Sequence, residues 1–179
     1  MKIILIGIQG SGKSTQGTLL SKTLGVPYLS TGHIFRRMAQ ERTPLGRQIK
    51  VVMNAGLLIS DAKTLKIVSE YLSRKEYQKG YILDGFPRTL GQVKAFKNGI
   101  DKVIYLKITD KEALWRISGR DGEAREDETL MAVRKRIDSF HKFTEPVLEY
   151  YKKKGTLLEI NGEQSVDKIH EEIMRKLNK

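Results

Sequence analysis

Gly7-Ile8-Gln9-Gly10-Ser11-Gly12-Lys13-Ser14 fits the pattern G-x-x-x-x-G-K-[ST] throughout. It lies directly after an apolar β-branched run and directly before a helical pattern, the context in which this spacing has a mechanism. Glycines let the backbone wrap so that its N–H groups point at phosphate oxygens. The following helix N-terminus adds positive potential, and Lys13 reaches the outer phosphates. The Ser14 hydroxyl is of the type that ligates Mg²⁺ in such loops. Gly10, Ser11, Gly12, Lys13, Ser14 and Thr15 are therefore the expected contacts to a nucleoside triphosphate. The competing reading, a chance glycine-rich turn, does not account for the strand before it and the helix after it.

A second constellation, Asp84-Gly85-Phe86-Pro87-Arg88-Thr89, follows an apolar strand pattern at 80–84. An aspartate at the C-terminal tip of a parallel strand stands at the edge where such sheets bind ligands. There it can hold Mg²⁺ through water. Alone, Asp84 could equally be a turn residue; Arg88 four positions on and the phosphate loop favour the functional reading.

With these motifs the chain resembles the adenylate kinase family over nearly its whole length. The strand and phosphate loop match 3–15. The acceptor motif S-T-G-x-x-x-R matches Ser30-Thr31-Gly32-His33-Ile34-Phe35-Arg36, and D-G-F-P-R-T-x-x-Q is intact over 84–92. R-x-x-x-R matches Arg116 and Arg120, and a spaced arginine pair matches Arg125 and Arg136. The resemblance implies reversible phosphoryl transfer from Mg-ATP to AMP. Lys13, Asp84, Arg88, Arg120, Arg125 and Arg136 would serve the transfer, with Arg120 also on the ATP side. Thr31, Gly32, Arg36, Leu57, Ile59, Gly85, Arg88, Gln92, Arg125 and Arg136 would hold AMP. Ser14 and Asp84 would carry Mg²⁺, Asp84 through water. Thr31 and the Thr89-x-x-Gln92 ending favour adenine. The UMP/CMP kinase branch more often has asparagine in place of Thr89 and Gln92, and it remains the alternative. By the same analogy the Phe86–Pro87 peptide is expected to be cis.

This sequence departs from the family pattern at three places. Gln9 and Ser11 stand where a proline and a small residue are usual, Ser14 where glycine is common, and His33 where aspartate is usual. The cover over the triphosphate is short, since only four residues separate Arg120 from Arg125, and a cysteine count of zero excludes a thiolate zinc site.

The residue types suit the chemistry. Phosphoryl transfer passes through a loose transition state with charge spread over the moving group, so alignment and neutralisation are what the protein must supply. A monophosphate oxygen is already largely ionised near neutral pH, its second pKa being about 6. No general base is required and none is evident. Arginine forks bind phosphate oxygens bidentately and stay charged.

The elements that must position these residues can be read from periodicity. Strands are expected at 2–7, 28–30, 80–84, 102–108 and 156–160. Helices are expected at 13–24, 31–41 capped by Thr31, 44–54, 61–75, 90–97, 111–119, 127–140, 145–153 and 166–177. The fold class is α/β: a P-loop NTPase-type five-stranded parallel sheet with helices on both faces. A single domain is expected, with a core at 1–29, 60–119 and 127–179. A monophosphate-binding segment at 30–59 and a short lid loop at 120–126 would close over the substrates and keep water out. Trp115, Tyr150 and Tyr151 read as core or half-buried packing, and the three histidines as surface or packing residues.

Composition sets the remaining bounds. The 179 residues are 39% hydrophobic and 30% charged, enough for one core and too short for two ordinary domains. No apolar run approaches the roughly 18 residues of a membrane span, and the apolar start is too short for a secretory signal, so a cytoplasmic location is expected. Lys and Arg exceed Asp and Glu by 33 to 21, a net charge of +12. That balance admits one rival of another class, a nucleic-acid-associated P-loop ATPase. Six of the basic groups fall inside phosphate-binding motifs, however. The rest are dispersed without aromatic interleaving, which argues against a nucleic-acid partner. ATP and AMP are the expected partners, without membrane, and a monomer is favoured.

Overall fold

The computed structural model describes residues 1–119 and 129–178. The strands β1 (Lys2–Ile6), β2 (Tyr28–Ser30), β3 (Tyr81–Asp84), β4 (Lys102–Lys107) and β5 (Leu157–Asn161) form one sheet in the order β2-β3-β1-β4-β5. Every pairing is parallel, as the strand–helix alternation predicts.

Alternation along β1 shows how the sheet is covered. Ile3 and Leu5 face a core completed by Leu20 of α1 (Lys13–Leu24) and by Ile169, Ile173 and Leu177 of α9 (Val166–Leu177). Ile4 and Ile6 face the other core. It takes Val68 and Leu72 from α4 (Asp61–Leu72), Val93 from α5 (Leu90–Ala95) and Ala113 from α6 (Asp110–Ser118). Val133 and Ile137 of α7 (Leu130–Ser139) and Val147 and Leu148 of α8 (Glu145–Lys153) complete it. Strands buried on both faces read as continuous apolar runs, and β1 is one. A third, smaller cluster of Phe35, Ile49 and Ile59 lies where α2 (Thr31–Gln40) meets α3 (Pro44–Asn54).

Helix starts follow local capping chemistry. Thr43, Thr89, Thr109, Thr129 and Ser165 each accept a backbone N–H from the first turn of the helix they precede. The cap of α2 is Ser30 and not Thr31: Ser30 Oγ accepts from His33 N, while the Thr31 hydroxyl donates to the Asp84 carbonyl at 3.1 Å. The first turn of α1 differs, because Gly12 precedes it in a left-handed conformation without a side-chain cap.

Four further expectations are corrected. Helix α4 stops at Leu72 and a 3₁₀ turn takes Lys75–Tyr77. Helix α5 stops at Ala95 because Phe96 turns into the core, its ring set edge-on to Phe86 at 4.9 Å between centroids. Trp115 is 69% exposed: it lies about 200° around α6 from the buried Ala113. Tyr151 is buried, whereas Tyr150 is exposed. A π-helical turn, Phe140–Thr144, joins α7 directly to α8. His141 within it lies 2.6 Å from Glu145 and 3.0 Å from Asp110 at the start of α6. The Glu145 contact, opposed by desolvation and helped by Asp110, raises its pKa above the ordinary value.

Candidate functional site

The C-terminal edges of β1 and β3 open on a cavity of about 450 Å³. One wall is the phosphate loop. Gly10 and Gly12 both adopt positive φ, at 89° and 88°, where a side chain would strain the backbone. Lys13 arches back over the loop, its Nζ donating to the carbonyls of Gly7 at 2.7 Å and Ile8 at 2.8 Å. The uncapped first turn of α1 presents its N–H groups here, a natural place for an anion.

Asp84 forms the floor. Its Oδ2 accepts the Tyr28 hydroxyl at 2.7 Å and the Ser30 hydroxyl at 3.4 Å. Oδ1 is buried and has no hydrogen-bond partner among the described residues. Burial first, and the neighbouring Asp84 charge second, push the Tyr28 phenol well above its ordinary value, so it stays protonated and donates. A Cβ at Gly17 would come within 2.3 Å of the Tyr28 ring; the glycine in the middle of α1 makes room for it. A buried carboxylate oxygen left without a donor fits a cation or its water, and Ser14 lines the same cavity.

The opposite wall is cationic. Arg36, Arg88 and Arg136 line the cavity together with Lys13. Arg88 Nε donates to the Gly85 carbonyl at 2.9 Å. Gly85 is left-handed, and a Cβ there would lie 2.7 Å from Thr31 Oγ1. Desolvation depresses the Arg88 pKa; Asp84 opposes the shift, and Arg136 and Arg36 add to it. Arginine keeps its charge under such pressure, so the cluster is a site for an anion. Arg36 folds close over Gly32, whose Cβ would lie 3.3 Å from its Nη1. Arg136 reaches two ways, from Nη1 to Gln9 Oε1 at 3.1 Å and from Nη2 to the Met53 carbonyl at 2.9 Å.

A less polar end holds Leu57, Ile59, Thr31 and Gln92. The Gln92 side chain, 2% exposed, accepts the Arg88 N–H at Oε1 (2.7 Å) and donates from Nε2 to Asp61 Oδ1 (2.9 Å). Phe86–Pro87, between Asp84 and Arg88, is a cis peptide, as the resemblance implied.

The sequence model of the adenylate kinase family matches residues 5–156. The chain belongs to the adenylate kinase family. Among curated relatives named adenylate kinase, that of Xylella fastidiosa (strain M23) is 39% identical over 181 positions, covering 97% of both chains. The Geobacillus sp. (strain WCH70) protein is 36% identical over 208 positions, covering 97% of this chain and 96% of the relative. The Acetivibrio thermocellus protein is 34% identical over 213 positions, covering 99% and 98%. All three alignments are longer than this chain, the last two by about thirty positions, so those relatives carry residues with no counterpart here. As a member of the adenylate kinase family the chain is a P-loop kinase, an enzyme whose reaction class is phosphoryl transfer to nucleoside monophosphates.

The family motifs and the cavity coincide closely. Gly10, Gly12, Lys13, Ser14, Thr15, Thr31, Gly32, Arg36, Leu57, Ile59, Asp84, Gly85, Arg88, Gln92 and Arg136 all line it. Ser11 lies apart from these: its side chain is fully buried beneath the loop, its N–H donates to the Ile8 carbonyl at 3.2 Å, and it does not line the cavity. A Cβ at Gly7 would lie 2.4 Å from Ser11 Oγ, so the two residues pack as a unit. Arg120 and Arg125, with the whole of the expected lid loop, lie outside the described residues. His33 is exposed and does not line the cavity.

Sequence reasoning missed Tyr28, Asp61 and Thr144, and it treated Gln9 only as a departure from the family pattern. Thr144 lines the cavity and donates to the Arg88 carbonyl at 3.1 Å. A hydroxyl at the start of a strand, a carboxylate in a first helical turn and a threonine two residues before a proline each have ordinary local explanations. No sequence signal separated them from those.

Proposed function

We propose that this member of the adenylate kinase family transfers the γ-phosphoryl group of Mg-ATP to AMP, giving two ADP. The observation that carries the reading is the single cavity. It joins a phosphate loop with Lys13 to a second set of cations, Arg36 and Arg88, and Gln92, Leu57 and Ile59 line it too.

In this reading the loop N–H groups and Lys13 hold the donor phosphates, and Arg36 and Arg88 clamp the acceptor phosphate. A phosphate oxygen of AMP attacks the γ-phosphorus, and the bond from phosphorus to the β,γ-bridging oxygen breaks. The electron pair leaves with ADP. Arg136 touches the phosphate loop through Gln9 and the acceptor segment through Met53, which suits it to the charge that develops between the two substrates. Arg120 and Arg125 would complete that cationic surround. Asp84 and Ser14 would hold Mg²⁺, Asp84 through water; the ion when bound neutralises charge on the donor phosphates. Thr31, Leu57, Ile59 and Gln92 would hold the adenine.

Residues 30–59 would act as the acceptor-binding segment against a core of 1–29, 60–119 and 127–179. The separate cluster of Phe35, Ile49 and Ile59 supports its moving as a unit. A short lid at 120–126 is proposed from the sequence, where only four residues separate Arg120 from Arg125.

The test is to incubate the purified chain with Mg-ATP and, separately, AMP, UMP, CMP and GMP, and to separate the nucleotides chromatographically. Rapid ADP formation with AMP is expected, and Arg88→Ala should lower it by roughly 10²–10³-fold or more, the scale of removing one transition-state donor. Comparable turnover of UMP or CMP would overturn the AMP assignment while keeping the reaction class.

A further inference from the structure

The proposed acceptor pocket reads its base through Gln92, and the orientation of that amide is imposed by its neighbours. Backbone N–H of Arg88 can only donate, and it meets Oε1 at 2.7 Å. The Asp61 carboxylate can only accept, and it meets Nε2 at 2.9 Å. Turning the amide over would set N–H against N–H at Arg88 and oxygen against oxygen at Asp61. Asp61 opens α4, where an acidic residue in the first turn would be unremarkable for the helix dipole alone. Its carboxylate, however, is spent on α5 and its cap: Oδ1 takes Gln92, and Oδ2 takes the Thr89 hydroxyl at 2.8 Å. Gly91 makes this approach possible, because a Cβ there would lie 2.6 Å from Asp61 Oδ2.

We infer that Asp61 is a specificity-determining positioning residue. It holds Gln92 so that one amide N–H and one carbonyl lone pair remain for the base in a fixed order. This rests on the proposed AMP site. Adenine offers a donor at N6 beside an acceptor at N1, which such an amide satisfies in one orientation. Hypoxanthine has the same outline with the polarity reversed, an acceptor at O6 beside a donor at N1, and it needs the amide turned over. Asp61, together with the Arg88 N–H, therefore sets the choice between 6-amino and 6-oxo purine monophosphates.

The experiment compares kcat/KM for AMP and IMP in the parent enzyme, Asp61→Asn and Asp61→Ala, with the KM for ATP measured alongside. Asparagine keeps the size of Asp61 and can present either its oxygen or its NH₂ to Gln92, so one of the two contacts that fix the amide no longer opposes the turned form and only the Arg88 N–H does. The AMP-to-IMP ratio is expected to fall roughly tenfold or more in Asp61→Asn, the scale of one buried hydrogen bond mispaired, with KM for ATP unchanged. Because both acceptors are read on one preparation, the ratio does not depend on how much of a variant is folded. A role confined to the structure of α4 and α5 would lower both acceptors together. An unchanged ratio in both variants would overturn the inference. A parent enzyme that phosphorylates neither acceptor would overturn the proposed AMP reaction itself, a distinct result.

Discussion

Asp84 has one oxygen committed to Tyr28 and the other buried without a hydrogen-bond partner among the described residues. The phenol fixes the carboxylate, and the other oxygen is the one that the proposed cation or its water would use. Tyr28→Phe keeps the ring against Gly17 and leaves Oδ2 with only the long Ser30 contact. Leaving a buried acceptor short of its donor costs about 1–3 kcal/mol. Tyr28→Phe should therefore lower the melting temperature, and it should weaken Mn²⁺ binding measured by paramagnetic resonance in the presence of nucleotide. Unchanged metal binding with lowered stability would confine Tyr28 to packing. Tyr28 and Asp84 lie 56 positions apart, and Gln9 and Arg136 lie 127 apart. Motif residues within a few positions of one another were legible in the sequence; pairs joined only by the sheet were not.

At the scale of elements, the segment 30–59 proposed to bind the acceptor meets α7 through backbone. Gly56 has φ of 69°, and a Cβ there would lie 2.5 Å from the Ala132 carbonyl oxygen and 2.8 Å from its Cα. Gly25, which ends α1, has nearly the same φ, 64°, and nothing within 4 Å of its Cβ position. Placing alanine at either should cost about 1–2 kcal/mol for the left-handed backbone. Only Gly56→Ala should also hold the segment away from α7 and Arg136, lowering kcat, while Gly25→Ala keeps it. Thermal unfolding and saturation kinetics on both variants check this, and equal kcat values would remove the closure argument. Elements with local punctuation were readable to the residue: α1 stops at Gly25 and α3 carries Pro44 in its first turn. The π turn at Phe140–Thr144 was not, because one extra residue in a turn leaves the spacing of buried positions close to helical on both sides. Trp115 misled for a related reason: its size favoured burial, whereas the face set by Ala113 decided against it.

On the scale of the molecule, the parallel sheet, two flanking cores and a third small cluster place two anion-binding walls across one cavity. The α/β class was legible because strands buried on both faces must be apolar throughout, and the phosphate loop because its spacing is set by backbone geometry. The charge of +12 was ambiguous in the sequence. In the structure, four of the motif cations face the cavity, while Arg134, Lys135 and Lys142 lie exposed. The central claim is direct transfer between two substrates bound in that cavity, and following the labelled phosphoryl group tests it most directly. With ATP labelled in its γ-phosphorus, Mg²⁺ and AMP, the label should appear in the β-phosphate of newly formed ADP, with little in inorganic phosphate. Label released mainly as inorganic phosphate, at a rate unaffected by AMP, would contradict the account.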